Sequence, residues 1–176
     1  MMYSGSANLA ILACPGGERF ADAVIQHLKH IYVEKLNRKI DKLIKRYDLQ
    51  KERLIRDINF YNDLISSGMH ENNDIEKIRI PRFKVNARFT YFTNGEFKTE
   101  ILECIRGKNV FIFQDVENHY PLWVNERKNQ HIFSVNDHLM SMMVTIDAVR
   151  YAGAAHITLV VPVYPYSRQH KKKGRE

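Results

Sequence analysis

Ser134 to Val163 reads SVNDHLMSMMVTIDAVRYAGAAHITLVVPV, and the fold follows from how this stretch is read. Ser134 has the short oxygen-bearing side chain of a helix N-cap. Leu139, Met142, Met143, Ile146 and Val149 follow at helical spacing, and Gly153 closes the helix. His156 to Val163 is then an apolar, β-branched run that reads as a buried strand.

Upstream, Asn109 to Asp115 is another β run, and Phe83 to Phe92 and Phe97 to Ile105 flank Thr93-Asn94-Gly95-Glu96. Asn-Gly between two strand-like segments marks a hairpin. Asn8 to Ala13 is a short apolar run closed by Cys14-Pro15-Gly16-Gly17, a buried strand entering a turn. His119 to His131 is polar and irregular, holds the one tryptophan, Trp123, and reads as a surface excursion. Strand, helix, hairpin, strand, helix and strand in that order predict an α/β domain with a mainly parallel sheet.

One segment stands outside this plan. Apolar residues repeat at helical spacing from Phe20 through Tyr32, Ile40 and Tyr47, then resume at Leu54, Ile58, Tyr61 and Ile65 after a polar gap from Asp48 to Arg53. Neither Gly nor Pro lies between Glu18 and Ser67, and Ser66-Ser67-Gly68 ends the pattern. The spacing predicts one long helix or a helical hairpin bent in that gap, with its narrow apolar stripe packed on itself or on a neighbouring subunit.

Composition narrows the function. The chain has 176 residues, 44% of them hydrophobic, enough for one ordinary domain with a core. No apolar run approaches the roughly 18 residues of a membrane span, and Met1 to Ala7 lacks the charged and apolar regions of a signal peptide. Two cysteines, Cys14 and Cys104, form no framework, so a reduced cytoplasmic setting is expected. The net charge is +7. From Glu34 to Asp57 nine Lys/Arg face five Asp/Glu, and from Arg168 to Glu176 five face one, so these two stretches account for the excess. Such a distribution suits phosphate binding as well as nucleic acid. The sequence contains neither of the two commonest glycine-rich phosphate loops, no zinc spacing and no RNA-binding aromatic pair.

Three segments carry candidate chemistry. Phe92-Thr93-Asn94-Gly95-Glu96 places a ring, an amide and a carboxylate on one turn; it is either a plain hairpin tip or a purine pocket with a stacking face and edge-binding groups. Glu103-Cys104-Ile105-Arg106-Gly107-Lys108 taken alone is a turn with a solvated arginine. Pro162 to Lys173 leaves a strand at its carboxyl end, the edge where open α/β sheets bind ligands. Its cations are either a solvated tail or a site for an anion such as a triphosphate.

In this order and spacing the segments resemble ribose-phosphate pyrophosphokinases (PRPP synthetases). That family has a phenylalanine and an acid or amide before a glutamate in a β turn, matched by Phe92, Asn94 and Glu96. Its Glu-Ser-Val-Arg-Gly segment is matched by Glu103 to Gly107, with Cys104 in the serine place. Its Asn-Asp-x-Leu-Met helix is matched by Asn136 to Met140, and its Pro-Tyr-x-Arg-Gln-Asp run by Pro165 to His170, where histidine replaces the aspartate. The likeness is weak over Asn8 to Gln26 and strong over Arg88 to Glu176.

The resemblance implies a three-layer fold of the type I phosphoribosyltransferase kind, residues 1–176 forming an amino-terminal domain with a helical insertion at about 29–82 and a shorter one from Gln114 to Phe133. It implies transfer of pyrophosphate from Mg-ATP to ribose 5-phosphate, Mg2+ serving with ATP. Phe92, Asn94, Gly95 and Glu96 would bind the adenine; Arg168, Gln169, His170, Lys171, Lys172 and Lys173 the rest of the nucleotide; Arg106 and Arg175 a regulatory phosphate. Cys104 and Gly153 stand where the family has serines at that regulatory site. The catalytic and metal-binding residues are expected beyond Glu176, in a second domain, and a homo-oligomer growing from dimers to hexamers is implied, with no nucleic acid or membrane partner. Two other readings stay open: a non-catalytic subunit associated with the synthetase, and a nucleic-acid-binding module using the basic arm.

Overall fold

A computed structural model describes residues 8–48, 50, 82–125 and 129–167. β1 (Leu9–Ala13), β4 (Asn109–Phe113) and β7 (His156–Val160) form a parallel sheet with β4 in the middle. Leu9 stands opposite Asn109, and Asn109 opposite His156. β2 (Ala87–Tyr91) and β3 (Phe97–Ile101) form an antiparallel hairpin, as do β5 (Leu122–Val124) and β6 (Asn129–His131). Just before β2, Phe83 to Val85 lies along the outer edge of β1: Ile11 N donates to Phe83 O and Val85 N to Ile11 O, both at 2.7 Å.

The pleat sends alternate residues to opposite faces, and each face meets a helix. Ile11, Ala13, Phe83 and Phe113 pack with Ala21 and Ile25 of α1 (Glu18–Tyr47). Leu12, Val85, Val110 and Ile112 pack with Ile146 and Val149 of α2 (Val135–Tyr151), and the β2–β3 hairpin joins that side through Ala87, Phe89 and Ile101. The result is helix, sheet, helix in three layers. The α2 N-terminus carries a full capping box: Ser134 Oγ accepts the Asp137 N–H, and the Asp137 carboxylate accepts the Ser134 N–H at 2.8 Å.

α1 continues well past the sheet. Its 30 residues span about 45 Å. It ends at Asp48, the first residue of the polar gap, in a left-handed conformation. Ile40 is 1% exposed, so the apolar stripe is covered there. The second half of the expected arm, with Leu54, Ile58, Tyr61, Ile65 and the Ser66-Ser67-Gly68 stop, lies outside the described residues.

Two expectations need correction. β7 ends at Val160 rather than Val163, and it is not buried throughout: Leu159 is 42% exposed, and His156 and Thr158 are exposed too. Among the described residues it pairs only with β4, so Ile157 and Val160 reach the two cores while the rest faces outward. The stretch from His119 to His131 is not irregular throughout, because it contains the β5–β6 hairpin. Trp123 is 59% exposed on it, as a surface excursion requires.

Gly17 is required by a close approach. A Cβ there would lie 2.5 Å from the Phe113 carbonyl oxygen, so the β1–α1 turn sits directly against the end of β4. Beside it Cys14 is fully buried, whereas Cys104 is exposed. Burial pushes the Cys14 thiol up from 9.0 to about 12, with a hydrogen bond from Thr145 acting weakly the other way. The folded chain therefore holds this proton more tightly than the unfolded one. The associated stability is complete below pH 9 and is lost as pH rises from there towards about 12. A thiol reagent added to native protein should label Cys104 and spare Cys14 until unfolding; two equally fast thiols would mean that the turn is open.

Candidate functional site

The Phe92 turn closes on itself through its backbone. Gly95 N donates to Phe92 O at 3.0 Å, and Phe92 N to Glu96 O at 2.9 Å. Gly95 sits at φ 88, a left-handed conformation that a side chain would strain. Asn94 Oδ1 accepts the Glu96 N–H at 3.1 Å, which points its oxygen back at the turn. All five residues from Phe92 to Glu96 are exposed, and Phe92 shows 43% of its surface. A ring, an amide donor and the Glu96 carboxylate thus share one surface that the backbone holds in place.

The base of the turn rests on aromatic packing. Tyr91 stacks on His131 with centroids 4.3 Å apart and meets the edge of Phe133 at 5.5 Å. Phe133, only 2% exposed, also touches Phe97 and His138. Below the turn a cleft of about 270 Å3 opens between Glu18, Arg88 and Trp123. Glu18 accepts the Gly16 N–H at 2.7 Å, yet desolvation outweighs that bond and raises its carboxyl above the ordinary range.

At the carboxyl ends of β1 and β4 lies a buried polar network. Gln114, His138 and Ser141 are each 0% exposed. Gln114 Nε2 donates to Pro15 O at 3.0 Å and contacts His138 Nδ1 at 3.0 Å. His138 Nε2 lies 3.0 Å from Asn118 O, a group that can only accept, so Nε2 carries the proton and Nδ1 accepts from Gln114. Ser141 Oγ reaches His138 O at 2.9 Å and Gln114 Oε1 at 3.3 Å. These groups tie the β1–α1 turn, the segment after β4 and the start of α2 together.

The remaining candidates are placed unevenly. Arg106 is exposed and lies against Gly153, whose carbonyl accepts the Gly107 N–H at 2.9 Å. Two positions that the resemblance alone links to a regulatory phosphate are therefore neighbours. After β7, Pro165 is buried and the Tyr166 hydroxyl donates to Asn136 Oδ1, folding this segment back onto the start of α2. Arg168, Gln169, His170, Lys171, Lys172, Lys173 and Arg175 lie outside the described residues. Among the described residues no three His, Cys, Asp or Glu side chains converge as a metal site would, and no helix is long and apolar enough to cross a membrane.

Sequence reasoning did not single out Gln114, His138, Ser141 or Asn125. Nothing in the spacing of the eight histidines sets His138 apart, yet it is buried. One signal was available: His138, Ser141, Met142, Thr145 and Val149 are the buried face of α2, so a histidine shares the helix's inward spacing.

The chain is thus a three-layer α/β domain with an exposed ring-bearing turn and a post-strand segment that returns to the start of α2. Residues 72–176 match the family model described as the N-terminal domain of ribose phosphate pyrophosphokinase. The chain belongs to that family. A ribose-phosphate pyrophosphokinase of Agrobacterium fabrum is 37% identical over 89 residues, 51% of this chain and 24% of the relative. One of Staphylococcus saprophyticus is 42% identical over 86 residues, 48% of this chain and 22% of the relative. The chain therefore matches about a quarter of the length of these relatives. A crystal structure of phosphoribosylpyrophosphate synthetase from Mycobacterium smegmatis is 22% identical, with a TM-score of 0.46 over 96% of this chain and 35% of that one.

Proposed function

We propose that residues 1–176 are the amino-terminal domain, with a helical insertion at about 29–82, of a cytoplasmic PRPP synthetase that assembles as a homo-oligomer. The match of residues 72–176 to the family carries this reading. In the reaction, O1 of ribose 5-phosphate attacks the β-phosphorus of ATP, the bond to the α-phosphate oxygen breaks, and AMP leaves. Mg2+ arrives with ATP as part of the substrate. Transfer of this kind depends on positioning and charge neutralisation. Phe92 offers its face to adenine, while the Asn94 amide and Glu96 carboxylate meet the base edge. Arg168, Gln169 and Lys171 to Lys173 supply groups for the rest of the nucleotide, and Arg106 with Arg175 a phosphate-regulated contact.

His170, in place of the family aspartate, favours one competing reading, a non-catalytic subunit that assembles with active partners. Activity separates the two. The assembled protein, comprising this domain and a second domain with the expected catalytic residues, should form AMP and PRPP from Mg-ATP and ribose 5-phosphate. The purified 176-residue chain should form neither. Turnover by the chain alone would overturn the division of labour, and an assembled protein without turnover would favour the associated subunit.

A further inference from the structure

The edge of the β2–β3 hairpin is occupied at one place by a side chain rather than a strand. Tyr91, the last residue before the Phe92 turn, has its N–H and C=O directed away from β3. Both are met by one amide: Tyr91 N donates to Asn125 Oδ1 at 2.8 Å, and Asn125 Nδ2 donates to Tyr91 O at 2.9 Å. Asn125 follows β5 and sits at φ 52, a left-handed conformation that asparagine tolerates better than most residues. From the same excursion His131 stacks on the Tyr91 ring, and Phe133 packs edge-on against it. The other end of the excursion is fastened by Gln114 and by Asn118 O on His138.

We propose that residues 114–125 and 129–133 brace the Phe92 turn and that Asn125 is the positioning residue, setting the direction in which Phe92, Asn94 and Glu96 are presented. The effect on nucleotide binding rests on the reading of that turn as an adenine platform; the brace itself does not. Planar pairing to both backbone groups of one residue fixes rotation as well as distance, which a single hydrogen bond or a ring contact would leave free. Ligand-binding turns are otherwise drawn from the least stable parts of a fold. A braced turn meets its ligand with less ordering left to do.

Asn125→Gly tests this, because glycine keeps the left-handed backbone and removes both side-chain bonds. Amide exchange at Phe92 and Gly95 in the folded chain should become about tenfold faster or more, the size expected for two lost hydrogen bonds. In the assembled protein the KM for Mg-ATP should rise with kcat nearly unchanged. Asn125→Asp keeps an acceptor for the Tyr91 N–H and should fall between parent and glycine variant. Unchanged exchange at Phe92 and Gly95 would overturn the brace. Faster exchange with unaltered nucleotide affinity, in a protein where Phe92→Ala does weaken binding, would overturn Asn125 as the residue that positions the turn for its ligand. If exchange quickens and neither Asn125→Gly nor Phe92→Ala changes nucleotide affinity, the brace stands and the adenine platform falls.

Discussion

Replacing Gln114 with leucine should cost about 3 kcal/mol of stability, the largest single effect expected in the described part of the chain. The side chain is 0% exposed and its amide serves Pro15 O and His138 Nδ1, with Ser141 Oγ 3.3 Å from its carbonyl. Leucine would leave Pro15 O and His138 Nδ1 without this donor inside the fold, and each buried orphan costs about 1–3 kcal/mol. Ser141 loses less, because it keeps the His138 carbonyl at 2.9 Å. In a chain of this size the loss corresponds to roughly 6–12 °C in Tm. Combining Gln114→Leu with His138→Leu should cost less than the sum of the two single changes, since the second removes an atom the first had orphaned. Calorimetry of the two single variants and the double would show it. Single variants within about 0.5 kcal/mol of the parent, or strict additivity, would mean that water replaces the network.

The elements legible in the sequence carry a local signal. β1 and β4 are apolar runs, α2 has its apolar spacing and serine cap, and Asn94-Gly95 announces the hairpin turn. What was not legible depends on contacts between distant residues. β5 and β6 have three residues each, too few to show a period, and the excursion is held partly by Asn125 on Tyr91, 34 positions away. The exposure of β7 follows from its place at the rim of the described sheet, which an apolar run does not specify. Gln114 reads as the polar end of a strand, because its partners Pro15 and His138 lie 99 and 24 positions away. The turn half of the candidate site was visible as residue types at fixed spacing. The network and brace beside it were not.

Phe92→Ala in the assembled protein should weaken Mg-ATP binding about five- to 150-fold, equivalent to the 1–3 kcal/mol that stacking a base on an aromatic ring contributes. The change can be made without rebuilding the turn. Phe92 contributes its backbone N–H and C=O to the closure with Glu96 and Gly95, and alanine keeps both. The ring is 43% exposed, so its loss removes modest packing and should leave Tm within a degree or two, in contrast to Gln114→Leu. Stacking held equally in the bound and transition states is uniform binding, so KM should rise while kcat changes little. Phe92→Trp, which keeps a flat ring, should restore most of the affinity, whereas Phe92→Leu, apolar but without a π-face, should not. Equal affinity in the alanine variant and the parent, with the Gly95 amide still protected, would reduce the turn to a hairpin tip. Rescue by leucine as complete as by tryptophan would make the contact a hydrophobic one and remove adenine stacking from the mechanism.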